Sequence, residues 1–146
     1  MQTNKARLLL ADDHEEVLQQ IAAVLGRDFQ IVGMVKDGSA LLHAAAELKP
    51  DVVVTDYTMP GMNGIEAGRQ LLSDRHCSAV VLLTLHEERH VVKEALAAGI
   101  RGYVLKRNAA EDLALAVNAA LQGRAYVPAE FLPWANLPEL RELPGA

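Results

Sequence analysis

A single cysteine, Cys77, is all the sequence contains, so no disulfide can close within the chain and no cysteine-built zinc site can form. Such a thiol is expected to be an ordinary buried or half-buried side chain. Basic excess is missing too: 14 Lys and Arg face 19 Asp and Glu, a formal net charge of -5. Nucleic-acid binding draws on clustered cations that displace counterions from phosphates, so this balance argues against a nucleic-acid module. No stretch approaches the roughly 18 apolar residues of a membrane span. The patch Leu8-Leu9-Leu10-Ala11 is too short for the core of a signal peptide. A cytoplasmic protein without membrane contact is expected. Internal repeats are absent, as is low-complexity sequence apart from alanine-rich stretches.

What remains is enough for one core: 146 residues, 51% of them hydrophobic and 23% charged. Short apolar runs of strand length alternate with segments of helical spacing from residue 7 to about 121. The strand candidates are 8–11, 29–35, 52–55, 79–83 and 102–105. Between them, Val17, Leu18, Ile21, Val24 and Leu25 form one helical stripe and Leu113, Val117, Ala120 and Leu121 another. Asn63 with Glu66, and Asn108 with Glu111, have the spacing of a capping box. Gly26, Gly99 and Gly123 stand where helices should end in a left-handed residue. Runs such as Val52-Val53-Val54 and Val80-Val81-Leu82-Leu83 are apolar without alternation, as in strands covered on both faces. The pattern predicts an α/β, doubly wound, five-stranded parallel sheet with helices on each side.

In such a sheet, chemistry sits beyond the carboxyl ends of the strands. The first strand runs into Asp12-Asp13, the third into Asp56, the fourth into Thr84 and the fifth into Lys106. The second ends without a carboxylate, its nearest being Asp37. A strand order of 2-1-3-4-5 makes that strand an outer one and the other four ends contiguous. Three crowded carboxylates would hold protons at neutral pH unless positive charge is supplied. One divalent cation plus Lys106 balances them, and oxygen ligands without His or Cys select Mg2+ or Mn2+. Asp56, followed by a Pro60-Gly61 turn that keeps bulk away, is the candidate nucleophile toward phosphorus, giving an acyl phosphate. Thr84 is placed to meet the added negative charge. Each residue alone has a plainer role: Asp13 as cap of the first helix with Glu16, Asp56 as the opening of a loop.

Residues 5 to 123 resemble the receiver domain of bacterial two-component response regulators. The motifs are Leu9-Leu10-Ala11-Asp12-Asp13-His14, Val54-Thr55-Asp56 through Asn63-Gly64, Leu83-Thr84, and Ala98-Gly99 through Leu105-Lys106. The resemblance implies a flavodoxin-like fold and a signalling switch, not an enzyme acting on others, that takes a phosphoryl group from a sensor histidine kinase onto Asp56. It implies that Asp12, Asp13, Asp56 and the backbone carbonyl of Thr58 arrange Mg2+, and that Thr84 and Lys106 bind phosphoryl oxygens. Tyr103 matches the switch position, and the fourth helix, fifth strand and fifth helix the readout surface and a possible homodimer contact. Residues 119 to 128 further resemble the receiver half of regulators that carry a helix-turn-helix, which implies either a free-standing receiver or part of a transcription regulator.

Several positions depart from the family. Leu85 replaces a small residue beside Thr84 and is expected to narrow access to Asp56. Thr58 and His86 occupy the two variable positions that modulate hydrolysis. Arg107 stands where proline often follows the lysine, and a cis bond there would cost about 3–4 kcal/mol without proline's help. Residues 124 to 146 hold four of the six prolines and three of the six aromatics, a linker or docked extension with a partner-binding segment as the alternative. His86 and His90, four apart, form a metal pair or a solvated helix face, and His14 a first-turn surface residue. Two rivals for the site are a Mg2+-dependent phosphohydrolase of the haloacid-dehalogenase type and a flavin or nucleotide module. The first wants an acid at position 58, where Thr58 stands, and the second a glycine-rich cradle where Asp12-Asp13-His14 stands. A receiver fold used unphosphorylated as an interaction module is a third.

Overall fold

The computed structural model describes residues 5–85 and 89–128. Five strands, β1 (Arg7–Ala11), β2 (Gln30–Val35), β3 (Val52–Asp56), β4 (Ala79–Thr84) and β5 (Gly102–Leu105), alternate with five helices. These are α1 (Glu15–Leu25), α2 (Gly38–Leu48), α3 (Gly64–Ser73), α4 (Arg89–Ala97) and α5 (Ala109–Leu121). All strand pairs are parallel, in the order β2-β1-β3-β4-β5. This is the flavodoxin-like doubly wound arrangement, with β2 outermost and the most open of the five strands to solvent.

Alternation along the strands sorts the core into two halves. Leu9, Val53, Val80, Leu82 and Tyr103 point to the face covered by α2, α3 and α4, while Leu8, Leu10, Val52, Val54, Val81 and Val104 meet α1 and α5. Both faces being covered is why β3 and β4 read as unbroken apolar runs: every residue of each is buried. No helix among the described residues is long and apolar enough to cross a membrane. Cys77 is half-buried, and burial pushes its thiol up to about 11, the passive cysteine expected.

Local signals held unevenly. Asn63 and Glu66 form the reciprocal capping box of α3. Asn108 does not: α5 is entered through a 3-10 turn, Lys106–Asn108, and Asn108 lacks the extended backbone that lets a cap side chain reach forward. Gly99 and Gly123 are left-handed (φ 94° and 76°), but Gly26 is right-handed at φ -65°. Lys49 and Arg75 take left-handed positions instead, with φ of 48° and 58°. Asp37, the carboxylate after β2, caps α2 by accepting from the Ala40 N–H at 2.7 Å. No peptide bond among the described residues is cis, so the link from Lys106 to Arg107 is trans.

Beyond Gly123 the chain returns to the sheet. Tyr126 bridges Gly102 in parallel, with the Tyr103 N–H donating to the Tyr126 carbonyl and the Tyr126 N–H to that of Arg101, each at 2.8 Å. The Tyr126 hydroxyl donates to Asp112 Oδ1 at 3.1 Å. Residues 124–128 are thus docked on the β5 edge. His86, and Phe131, Leu132, Trp134, Leu137 and Leu140 of the apolar tail, lie outside the described residues, so the His86–His90 pair does as well.

Candidate phosphoacceptor site

Register delivers the site. Ala11 pairs with Thr55, Asp56 with Leu83, and Thr84 with Leu105, so the residues just past β1 and at the ends of β3, β4 and β5 lie along one rim. Asp12, Asp56 and Thr84 are buried there at 0%, 4% and 0% exposure. Lys106 reaches in from the turn after β5: its Nζ lies 3.2 Å from Asp12 Oδ2 and 3.2 Å from Asp56 Oδ2. One ammonium thus faces two buried carboxylates.

The electrostatics follow. Burial, and then the neighbouring Asp12 charge, push the Asp56 carboxyl above its ordinary value, while Lys106 and a hydrogen bond from the Thr58 N–H pull it back. Burial opposes the charged Lys106, but Asp56 and then Asp12 outweigh it, and its ammonium is held above the ordinary lysine range. Asp12 Oδ2 is buried and accepts no hydrogen bond. A buried carboxylate oxygen compensated only by a shared ammonium is an opening for a further cation.

Asp13, His14, Asp56, Thr58, Leu85 and Lys106 line a cleft of about 190 Å³ above these groups. Leu85 is 72% exposed at its mouth, where it was expected to narrow access. One ligand atom each from Asp12, Asp13, His14 and Asp56 lies within 4.8 Å of all the others. Oxygens around an octahedral Mg2+ are separated by about 3 to 4 Å, so the acidic rim fits such an ion with small adjustment. Tyr103 is buried at 1% exposure on the α4 side of β5.

His14, expected as a first-turn surface residue, is exposed at the start of α1, but its ring also contacts the acidic rim. It is the N-cap of α1, with no side-chain cap bond, and Asp13 is not the cap. Its ring is 66% exposed, yet Nδ1 lies 3.1 Å from both Asp12 Oδ1 and Asp13 Oδ1. Its backbone N–H donates to Asp12 Oδ1 at 2.9 Å. Its backbone is extended (φ -107°, ψ 115°) at the turn from β1 into α1.

Residues 8–118 match the family described as the response regulator receiver domain. The transcriptional regulatory protein LiaR of Bacillus subtilis is 38% identical over 80% of this chain and 56% of its own. Among solved structures, the signal receiver domain of the response regulator NarL from Mycobacterium tuberculosis superposes with a TM-score of 0.79 at 30% identity, covering 84% of this chain and all of that one. A LuxR-family two-component response regulator from Aurantimonas gives 0.83 at 29% identity, over 91% and 96% of the two chains. The chain spans little more than half the length of curated relatives such as LiaR. These relatives are response regulators, which favours neither the phosphohydrolase nor the nucleotide-module rival. With motif, topology and rim in agreement, the chain belongs to the response regulator receiver domain family.

Proposed function

We propose that Asp56 is the phosphoacceptor and that residues 5–123 form the receiver domain, with 124–146 an extension from it. The observation that supports this best is the position of Lys106 Nζ, 3.2 Å from both Asp56 and Asp12. A sensor histidine kinase's phosphohistidine would supply the group: the P–N bond breaks, a P–O bond forms to the Asp56 carboxylate, and the imidazole keeps the electron pair. Asp12, Asp13, Asp56 and the Thr58 carbonyl would hold Mg2+, or Mn2+, which when bound offsets charge on the phosphoryl oxygens. Lys106 and Thr84 bind those oxygens. Gain and loss of the group are the only chemistry the chain catalyses, and both occur on itself.

Thr84 ends β4 directly beside β5, where Tyr103 is buried. Tyr103 is already buried at 1% exposure, so a pull on Thr84 by the new charge would hold that inward ring in place rather than turn it in, favouring one form of the α4-β5-α5 surface. That surface exposes Leu115 and Leu121 of α5 to 55% and 39%, apolar area suited to a homodimer contact. The segment 124–128 is docked on the same edge, so the output would reach whatever lies beyond it. A role in transcription regulation within the cytoplasm accords with relatives such as LiaR.

The test is incubation of the chain with acetyl phosphate and Mg2+ followed by intact mass spectrometry. A labile adduct that Asp56→Asn abolishes is expected. No adduct from either acetyl phosphate or a phosphorylated kinase would leave the unphosphorylated interaction module as the better account.

A further inference from the structure

After α5 the chain reverses at Gly123, a left-handed glycine (φ 76°), and residues 124–128 come back to the β5 edge. Tyr126 is bonded on both sides of Gly102: its N–H donates to the Arg101 carbonyl and its carbonyl accepts from the Tyr103 N–H, each at 2.8 Å. Its ring packs with the half of the core under α1 and α5, and its hydroxyl donates to Asp112 Oδ1 of α5 at 3.1 Å. Val127 packs instead with the half that contains Tyr103, and Pro128 is buried. The next rung of a parallel ladder would need an N–H from residue 128, which proline lacks, so the added strand stops at one bridge. One bridge is a hold that can open without unfolding the sheet.

We propose that residues 124–128 form a strap whose docking is coupled to the phosphoacceptor site, the docked strap and a phosphoryl group on Asp56 favouring the same form of β5. The coupling rests on the reading of Asp56 as phosphoacceptor given above, and it adds the element that senses the acceptor's state. Two contacts carry it. The strap's Tyr126 carbonyl is tied to the amide of Tyr103, and Val127 packs in the half of the core that holds the buried Tyr103 ring, so ring in and strap down occur together. Tyr103 pairs with Leu82, and Leu105, two residues on, pairs with Thr84 at the end of β4. A charge on Asp56 that draws Thr84 and holds the Tyr103 ring inward therefore also holds the seat of the strap. Linkage makes the effect reciprocal: whatever lifts the strap weakens binding at the acceptor by the same factor, commonly about fivefold or more for coupled sites.

The experiment uses the full chain with beryllofluoride, a non-transferable mimic of the phosphoryl group, in saturating Mg2+. Amide hydrogen exchange followed by NMR should slow at Tyr103 and Tyr126 by about fivefold or more when beryllofluoride is added, and should not change in Asp56→Asn. Strap amides exchange by local opening, so a general gain in stability does not produce this result. In return, Val127→Glu, which sets a charge against an apolar seat, should bind beryllofluoride about fivefold or more weakly by calorimetric titration. Tyr126→Pro, which lacks the N–H for Arg101, should behave alike. Circular dichroism melting checks that both variants are folded at the titration temperature, and the wild-type exchange measurement stands without them. Unchanged exchange in a wild-type chain that binds beryllofluoride would overturn the coupling and leave Asp56 as the phosphoacceptor. Faster exchange would overturn it too, the strap then being released rather than held. Slower exchange with undiminished affinity in both folded variants would break reciprocity and equally refute it. A wild-type chain that neither binds beryllofluoride nor takes a phosphoryl group from acetyl phosphate or a phosphorylated kinase would remove the phosphoacceptor reading and this coupling together.

Discussion

Replacing Asp56 with asparagine should make the cation-free protein more stable while destroying its function. Asp56 is 4% exposed and shares one ammonium with Asp12, which is also 3.2 Å from Lys106 Nζ. Asparagine removes one of two buried charges and keeps the shape, and Lys106 retains Asp12 as its partner. Because burial and Asp12 raise the Asp56 carboxyl above 3.8, the folded chain binds that proton more tightly than the unfolded chain. Stability from this group is therefore fully present below the unfolded value and is lost as pH rises through the higher folded value. At pH 7 the ionised carboxylate is a liability, each unit of difference being worth about 1.4 kcal/mol.

Relief of functional-site strain of this kind is commonly about 0.5–2 kcal/mol, and for a domain of this size 1 kcal/mol is roughly 4 °C in midpoint. Thermal unfolding followed by circular dichroism in EDTA should place Asp56→Asn above wild type at pH 7. The gap should close as the buffer approaches the ordinary aspartate value of 3.8. Saturating divalent cation should reverse the ranking. A ligand at a hundredfold its Kd stabilises the folded form by about 2.7 kcal/mol, and Asp56→Asn has lost part of the ligand set. A variant less stable than wild type at pH 7 in EDTA would refute the reasoning, because the Lys106–Asp56 attraction would then outweigh burial and the Asp12 repulsion.

Lys106→Met leaves Asp12 and Asp56 facing each other unpaired and should cost about 3 kcal/mol in urea unfolding, the low end for a broken buried pair because Lys106 remains 17% exposed. Its ammonium is held above 10.5, so the stability it gives is complete below that value and lost as pH rises through the higher folded one; an alkaline titration should show this loss in wild type and not in Lys106→Met. Gly64→Ala would drive a Cβ into the backbone carbonyl of Asp56 and to 2.8 Å from Leu82 Cδ1, an overpacking of about 1–3 kcal/mol by urea unfolding that should also slow adduct formation at Asp56 by moving it. Asn63→Ala should cost about 1 kcal/mol, having lost a capping box, whereas Asn108→Ala should be near neutral; equal losses at the two would contradict the observed caps.

The contrast between those two asparagines marks how far the sequence could be read. Both precede a glutamate by three, and that spacing signals a cap only if the backbone before the helix is extended. Asn63 has φ -77° and ψ 165°; Asn108, held by the turn that carries Lys106 into the site, has φ -111° and ψ 13°. Likewise Gly26 has the residue type for a left-handed end and does not use it, while Lys49 and Arg75 do so against their propensity. Elements and their order were legible because burial on both faces writes itself as uninterrupted apolar runs. Terminal geometry was not, because it depends on where the next element must go. His14 fell on the illegible side as well, since its residue type does not say that its ring lies against Asp12 and Asp13 at the helix start.

The rim itself was legible for a stronger physical reason than motif spacing. In a parallel sheet covered on both faces, alternate residues belong to opposite cores, and a slip of one residue would exchange them wholesale. Leu9 and Val53 pack with α2 and α3, while Leu10 and Val54 pack with α1 and α5, which pins the pairing of Leu10 with Val54 and of Ala11 with Thr55. The next pair in that register is Asp12 beside Asp56. The same constraint on β3 and β4 pairs Asp56 with Leu83, and on β4 and β5 it pairs Thr84 with Leu105, one residue short of Lys106. Core packing thus forces together charges that would separate if left to themselves. The apolar sheet holds the unfavourable Asp12–Asp56 pair in place, and that stored repulsion is what the proposed cation would relieve.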